Sequence, residues 1–140
     1  MREHFEFAEF LAAAWRLAHP KPNEDARMPT SHGVLDQALY ELRDELPEKL
    51  KGVLSFGNTR IGFRCYELPD ILYCAQANLL TSEPNPTYLT TAVQIEAGTA
   101  RRILRRRNLD PKFGREFGIK LEKAIERAME QLGEAPSAAA

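Results

Sequence analysis

The sequence predicts a mainly α-helical domain, a compact bundle of five to six helices carrying one small β-hairpin. Three observations point there. Apolar residues recur at three- and four-residue intervals over most of the chain, the signature of helices with one buried face. Only around residues 53–66 does the pattern shorten to alternation. Proline and glycine punctuate the intervals between the helical stretches. With 140 residues, 44% hydrophobic and 28% charged, the chain has ordinary globular composition and length for one core. Residues 1–133 are therefore expected to form a single domain, with 134–140 as a disordered tail.

Residues 5–18 read as the first helix, with Phe7, Phe10, Leu11, Ala14, Leu17 and Ala18 on one face and Trp15 widening it. Pro20 stops it, because proline disfavours helical geometry in the residue before it. Residues 19–31 hold three prolines and no period, so they read as a long surface loop, a place where a partner can bind. Thr30 or Ser31 is the expected cap of a second helix. Leu35, Ala38, Leu39, Leu42 and Leu46 form its stripe, and Asp36, Glu41, Asp44 and Glu45 give it an acidic outer face. Pro47 kinks it or opens a last turn ending at Gly52.

The alternation in 53–56 and 60–66 flanks Gly57-Asn58, which suits a tight hairpin turn. Ile61, Phe63 and Cys65 then share the buried face. A third helix starts at Leu68-Pro69-Asp70, with Ile71, Leu72, Ala75 and Leu79 inward, and ends before Pro84. A fourth is expected from about Thr87 to Ala97, closed by Gly98. A fifth runs from Ala100 to Leu109 with Thr99 as cap. Asp110-Pro111 repeats the start signal, a capping carboxylate followed by proline at the first helical position. The last helix covers 111–132, with Phe113, Phe117, Leu121, Ala124, Ile125, Ala128 and Leu132 inward, and Gly133 stops it.

Charge is unevenly spread. Residues 1–99 hold 9 Lys+Arg against 14 Asp+Glu, whereas residues 100–140 hold 10 against 6, so a total of −1 conceals an acidic part (1–86) and a basic helical part (87–133). Five arginines, Arg101, Arg102, Arg105, Arg106 and Arg107, lie within seven residues. With about 100° per residue and Ala100 at zero, Arg101, Arg105, Arg102 and Arg106 fall near 100°, 140°, 200° and 240°, opposite Ala100, Ile103 and Leu104. Arg107 sits at the edge of the apolar arc. Like charges at i,i+4 cost a few tenths of a kcal/mol each. Guanidinium forks pair with phosphate through two hydrogen bonds, so an unneutralised arginine face is better explained by an anionic partner than by stability, although charge runs are usually solvated helix faces. The competing account is internal pairing, with the acidic helix 35–46 docked against the same arginines.

The stretch from Leu89 to Arg107 resembles a helix-turn-helix, with the turn at Ala97-Gly98-Thr99 and departures from the usual pattern at Gln94 and Thr99. That resemblance implies that the basic helix enters the major groove, with the hairpin's Arg60 and Arg64 supporting it along the phosphates. The expected function is a nucleic-acid-binding transcription regulator, DNA favoured, whose site is Arg101, Arg102, Arg105 and Arg106 with Arg60 and Arg64. The alternative is a non-enzymatic adaptor or inhibitor that docks on a larger assembly such as the transcription machinery. It would use the acidic face or the 19–31 loop. A homodimer through the last helix is compatible with both.

No catalytic motif, cofactor motif or metal site is expected. Cys65 and Cys74 lack metal-ligand spacing. Ser31, His32 and Asp36 form a triad only on paper. Gly114 and Gly118 lack the Gly-Lys-Ser/Thr ending of a phosphate loop and read as a place of close helix approach. No apolar run reaches the roughly 18 residues of a membrane span, and without an export signal the expected compartment is the cytoplasm.

Overall fold

A computed structural model of the chain describes residues 2–21, 26–82 and 90–132. These form five α-helices and four short strands: α1 (Arg2–Ala18), β1 (Arg27–Pro29), α2 (Val34–Glu41), β2 (Phe56–Thr59), β3 (Gly62–Cys65), α3 (Leu68–Ala77), β4 (Thr90–Ala92), α4 (Ala97–Arg106) and α5 (Pro111–Gln131). The mainly helical expectation is met. The tail 134–140 and the stop at Gly133 lie outside the described residues.

Helix α1 is the axis of the bundle and packs against α3, α4 and α5. It is buried without a break from Phe7 to Trp15, more than one stripe, because neighbours enclose it on several sides. Its alanines let those neighbours come close. At Gly118 of α5 an added Cβ would stand 2.1 Å from the carbonyl oxygen of Ala14. The expected close approach at this glycine is therefore backbone against backbone. Phe10 extends the contact between Phe113 and Phe117, with ring centroids 6.2 and 5.0 Å away. Helix α5 starts as its sequence predicts, Asp110 accepting a 2.9 Å hydrogen bond from the Lys112 amide. Its apolar face is spent on α1 and α2, while Leu132 is 52% exposed rather than inward.

Several local expectations are overturned. The second helix is short, and residues 43–45 and 48–50 continue as two 3₁₀ turns around Pro47 that still bury Leu42, Leu46 and Leu50. Neither Thr30 nor Ser31 caps α2: Gly33 occupies the cap position in a left-handed conformation (φ 79°), with no side-chain hydrogen bond. Asp36 is not on an outer face but 5% exposed. Its carboxylate accepts a 2.8 Å hydrogen bond from the Cys65 amide and fastens the hairpin to α2.

The hairpin exists, but its turn is Arg60-Ile61 rather than Gly57-Asn58, since Thr59 pairs with Gly62 and Gly57 with Arg64. Gly57 serves a packing purpose: a Cβ there would lie 2.1 Å from the Tyr66 hydroxyl. Ile61 is consequently at the tip and 74% exposed. Helix α3 ends two residues before Leu79, which takes a positive φ and faces solvent.

The fourth expected helix, 87–97, is contradicted where it can be seen. Residues 90–92 are a strand paired antiparallel with 27–29 of the expected loop, Met28 opposite Thr91. Threonine's branched Cβ favours extended backbone, and the partner strand lies some 60 residues away, beyond the reach of any local pattern. The helix-turn-helix-like pair over 89–107 thus loses its first helix. Gly98 and Thr99 lie inside the first turn of α4, whose cap position is Glu96 in extended conformation.

Candidate nucleic-acid interface

Helix α4 buries Ala100, Ile103 and Leu104 against α1 and α5. Gly114 of α5 receives Leu104, whose Cδ1 is 2.5 Å from where a glycine Cβ would be. With that apolar arc seated, Arg101, Arg102, Arg105 and Arg106 all project to solvent as the wheel places them. They are not equivalent.

Glu9 of α1, 4% exposed, lies under one flank of α4. Its Oε2 is 3.1 Å from Nη2 of Arg106, and its Oε1 accepts from Nε (3.1 Å) and Nη2 of Arg107. Nη1 of Arg107 also reaches Glu6 at 3.4 Å. Glu6 is shared with Arg2 at 3.4 Å, so two carboxylates answer three guanidiniums at the α1–α4 seam, and among the described residues Glu9 serves Arg106 and Arg107 alone. Arg106 and Arg107 both belong to this flank, on the side of the wheel away from Arg101 and Arg105.

Arg101, Arg102 and Arg105 have no carboxylate partner among the described residues; Arg102 donates only to Thr99 Oγ1 at 3.2 Å. The acidic residues of the α2 region do not come to them. Glu45 pairs with Lys120 at 2.6 Å, and Glu41 pairs with Arg127, both on α5. Each carboxylate holds its cation's pKa above the ordinary value, chiefly by the hydrogen bond. The internal neutraliser anticipated for the arginine helix is thus used on another helix. The helix dipole favours Arg105 and Arg106 in the last turn by about 0.3–1 kcal/mol, but gives Arg101 and Arg102, a turn earlier, little.

Arg60 and Arg64 are placed elsewhere. Both belong to the hairpin, which packs on α2, while α4 packs on α1 and α5. Arg60 is exposed at the hairpin turn. Arg64 is half-buried, donates to the Phe63 carbonyl at 2.9 Å and crowds Gly33 at the start of α2. Its charge also favours the ionised form of buried Asp36. Arg64 therefore has an internal role.

Sequence reasoning missed Glu9 and Arg16. Glu9 stands inside an otherwise apolar run, which is a legible signal: a carboxylate buried there requires a cationic partner. Arg16 donates to the carbonyls of Ile95 (2.7 Å), His19 (3.0 Å) and Val93 (2.9 Å), holding the chain that leads into α4.

Among the described residues no cluster of His, Cys, Asp and Glu could hold a metal ion, and no helix is long and apolar enough to cross a membrane. Cys65 and Cys74 are both buried free thiols. No protein-family model, no curated protein and no solved structure matches the chain.

Proposed function

We propose that the chain is a non-enzymatic nucleic-acid-binding protein, duplex DNA favoured, that regulates transcription by laying α4 on the phosphate backbone. One observation carries the reading. Arg101, Arg102 and Arg105 point outward from a helix whose inner face is buried, without a carboxylate partner among the described residues. Three unneutralised guanidiniums on a helix of ten residues gain most from a polyanion that supplies a regular row of phosphates. The contact needs no helix-turn-helix, since α4 presents the arginines by itself. The exposed charged side chains of α4 are all arginine, which forks onto phosphate and is also the commonest reader of guanine, so the face supports phosphate contact with or without base readout.

Binding to random duplex DNA, single-stranded DNA and RNA, measured as a function of salt, tests the proposal. Three phosphate contacts give a log–log slope on duplex of about −2.7. Replacing Arg101, Arg102 and Arg105 together by alanine should abolish binding at ~50 mM salt. Undetectable binding by the parent chain, or binding unchanged in the triple variant, rejects it.

A second reading, an adaptor that docks on a larger assembly, has one observation in its favour. Tyr73 of α3 is 67% exposed on the rim of a groove of about 240 Å³ lined also by Pro69, Leu72, Gln76, Thr81 and Thr91. Tyrosine is enriched at interfaces. Tyr73→Ala should weaken a protein complex and leave DNA binding intact.

A further inference from the structure

We infer that Glu9 acts as an internal competitor for phosphate. It withholds Arg106 from the polyanion contact and confines that contact to the Arg101–Arg102–Arg105 flank of α4. The inference rests on the nucleic-acid reading of this face and adds where the contact ends and what ends it.

Arg106 looks from sequence like a fourth member of the set, and its side chain is 67% exposed. Yet its Nη2 donates to a carboxylate that is almost wholly buried. The Glu9 side chain is 6% exposed, so drawing Arg106 away leaves its Oε2 without a charged donor and only Arg107, on Oε1, to answer a buried negative charge. Arg107 is the other partner, held by both Nε and Nη2 and backed by Glu6. Glu6, Glu9, Arg106 and Arg107 sum to zero charge, and Arg2, which also reaches Glu6 at 3.4 Å, leaves the whole seam at only +1. A phosphate approaching this flank meets two carboxylates as well as the guanidiniums. Arg101 and Arg105 lie on the far side of the helix and Arg102, about 40° from Arg106, lies between, and among the described residues none of the three has a carboxylate partner. The net attraction therefore lies chiefly with three side chains of α4, although four are visible at the surface. Counterion release follows net neutralisation of phosphates, so this division is readable in the salt slope.

The test measures binding of a short random-sequence duplex DNA to the full chain between ~50 and ~200 mM salt. Arg105→Ala should flatten the parent slope by about 0.9, whereas Arg106→Ala should leave it where it is. Glu9→Gln keeps the shape and an accepting oxygen but removes the charge. It should steepen the slope from about −2.7 toward about −3.6 as Arg106 joins the contact. Should Glu9→Gln fail to fold, the two arginine variants decide the matter, since both change exposed side chains. Equal flattening by Arg105→Ala and Arg106→Ala overturns the inference while leaving the nucleic-acid reading intact. A folded Glu9→Gln protein with the parent slope does the same. Absence of binding by the parent chain overturns both.

Discussion

Glu9 Oε1 accepts two hydrogen bonds from the Arg107 guanidinium, one from Nε at 3.1 Å and one from Nη2, joining the first helix to the end of the fourth. The carboxylate is buried and the guanidinium is about one-third exposed. The pair therefore anchors α4 at its C-terminal end while Ile103 and Leu104 anchor its inner face.

Arg107→Ala should destabilise the fold by about 3 kcal/mol, the lower part of the range for stranding one partner of a buried ion pair, because Arg106 still touches Glu9. Arg106→Ala, at an exposed position, should cost less than about 1 kcal/mol. Urea unfolding of the two variants checks the contrast, and equal losses would show that the two arginines share Glu9 evenly.

Gly118→Ala should be more damaging than Gly114→Ala. The new methyl at 118 meets the fixed carbonyl of Ala14, whereas at 114 it meets the movable end of Leu104. Overpacking costs about 1–3 kcal/mol and α1 cannot yield without moving the whole bundle. At 114 the gain of up to about 1 kcal/mol in helix propensity offsets part of the strain. Thermal melts of both variants give the order directly.

Asp36 makes stability depend on pH in a definite direction. Burial raises its pKa against the opposing Cys65 hydrogen bond and Arg64 charge. The folded state then binds this proton more readily than the unfolded state. Asp36 therefore contributes most below the unfolded value, near 3.9, and loses that contribution as pH rises through the raised folded value. Asp36→Asn keeps an oxygen for the Cys65 amide and carries no charge to desolvate. Its stability relative to the parent should increase from pH 4 to pH 7, as read by melts across that range. A constant difference would mean that Arg64 fully offsets the burial.

Cys65 should be inert in the folded protein. Burial pushes its thiol up to about 12, with the nearby Glu67 and Asp36 charges adding to the effect. Only the thiolate attacks a disulfide reagent. Labelling at pH 8 should therefore leave Cys65 untouched in native protein and modify it fully in denaturant. Rapid native labelling at this position would show that the hairpin opens readily.

Part of this molecule is written locally. The spacing of Phe7, Phe10 and Leu11, the Asp110-Pro111 start and the stripe of α5 each report burial of one helix face, which neighbouring residues settle among themselves. The arginine crowd on the basic helix is equally local. What tertiary structure alone decided is whatever depends on distant partners. Strands β1 and β4 have three residues each and exist because they pair with one another. Gly57 lies in a strand because it pairs with Arg64 across the hairpin. Of the outward arginines, Arg106 is claimed by a carboxylate 97 residues away, while the acids of the α2 region go to α5 instead. Periodicity describes which way a side chain points; whether its charge is answered depends on what the fold sets opposite it.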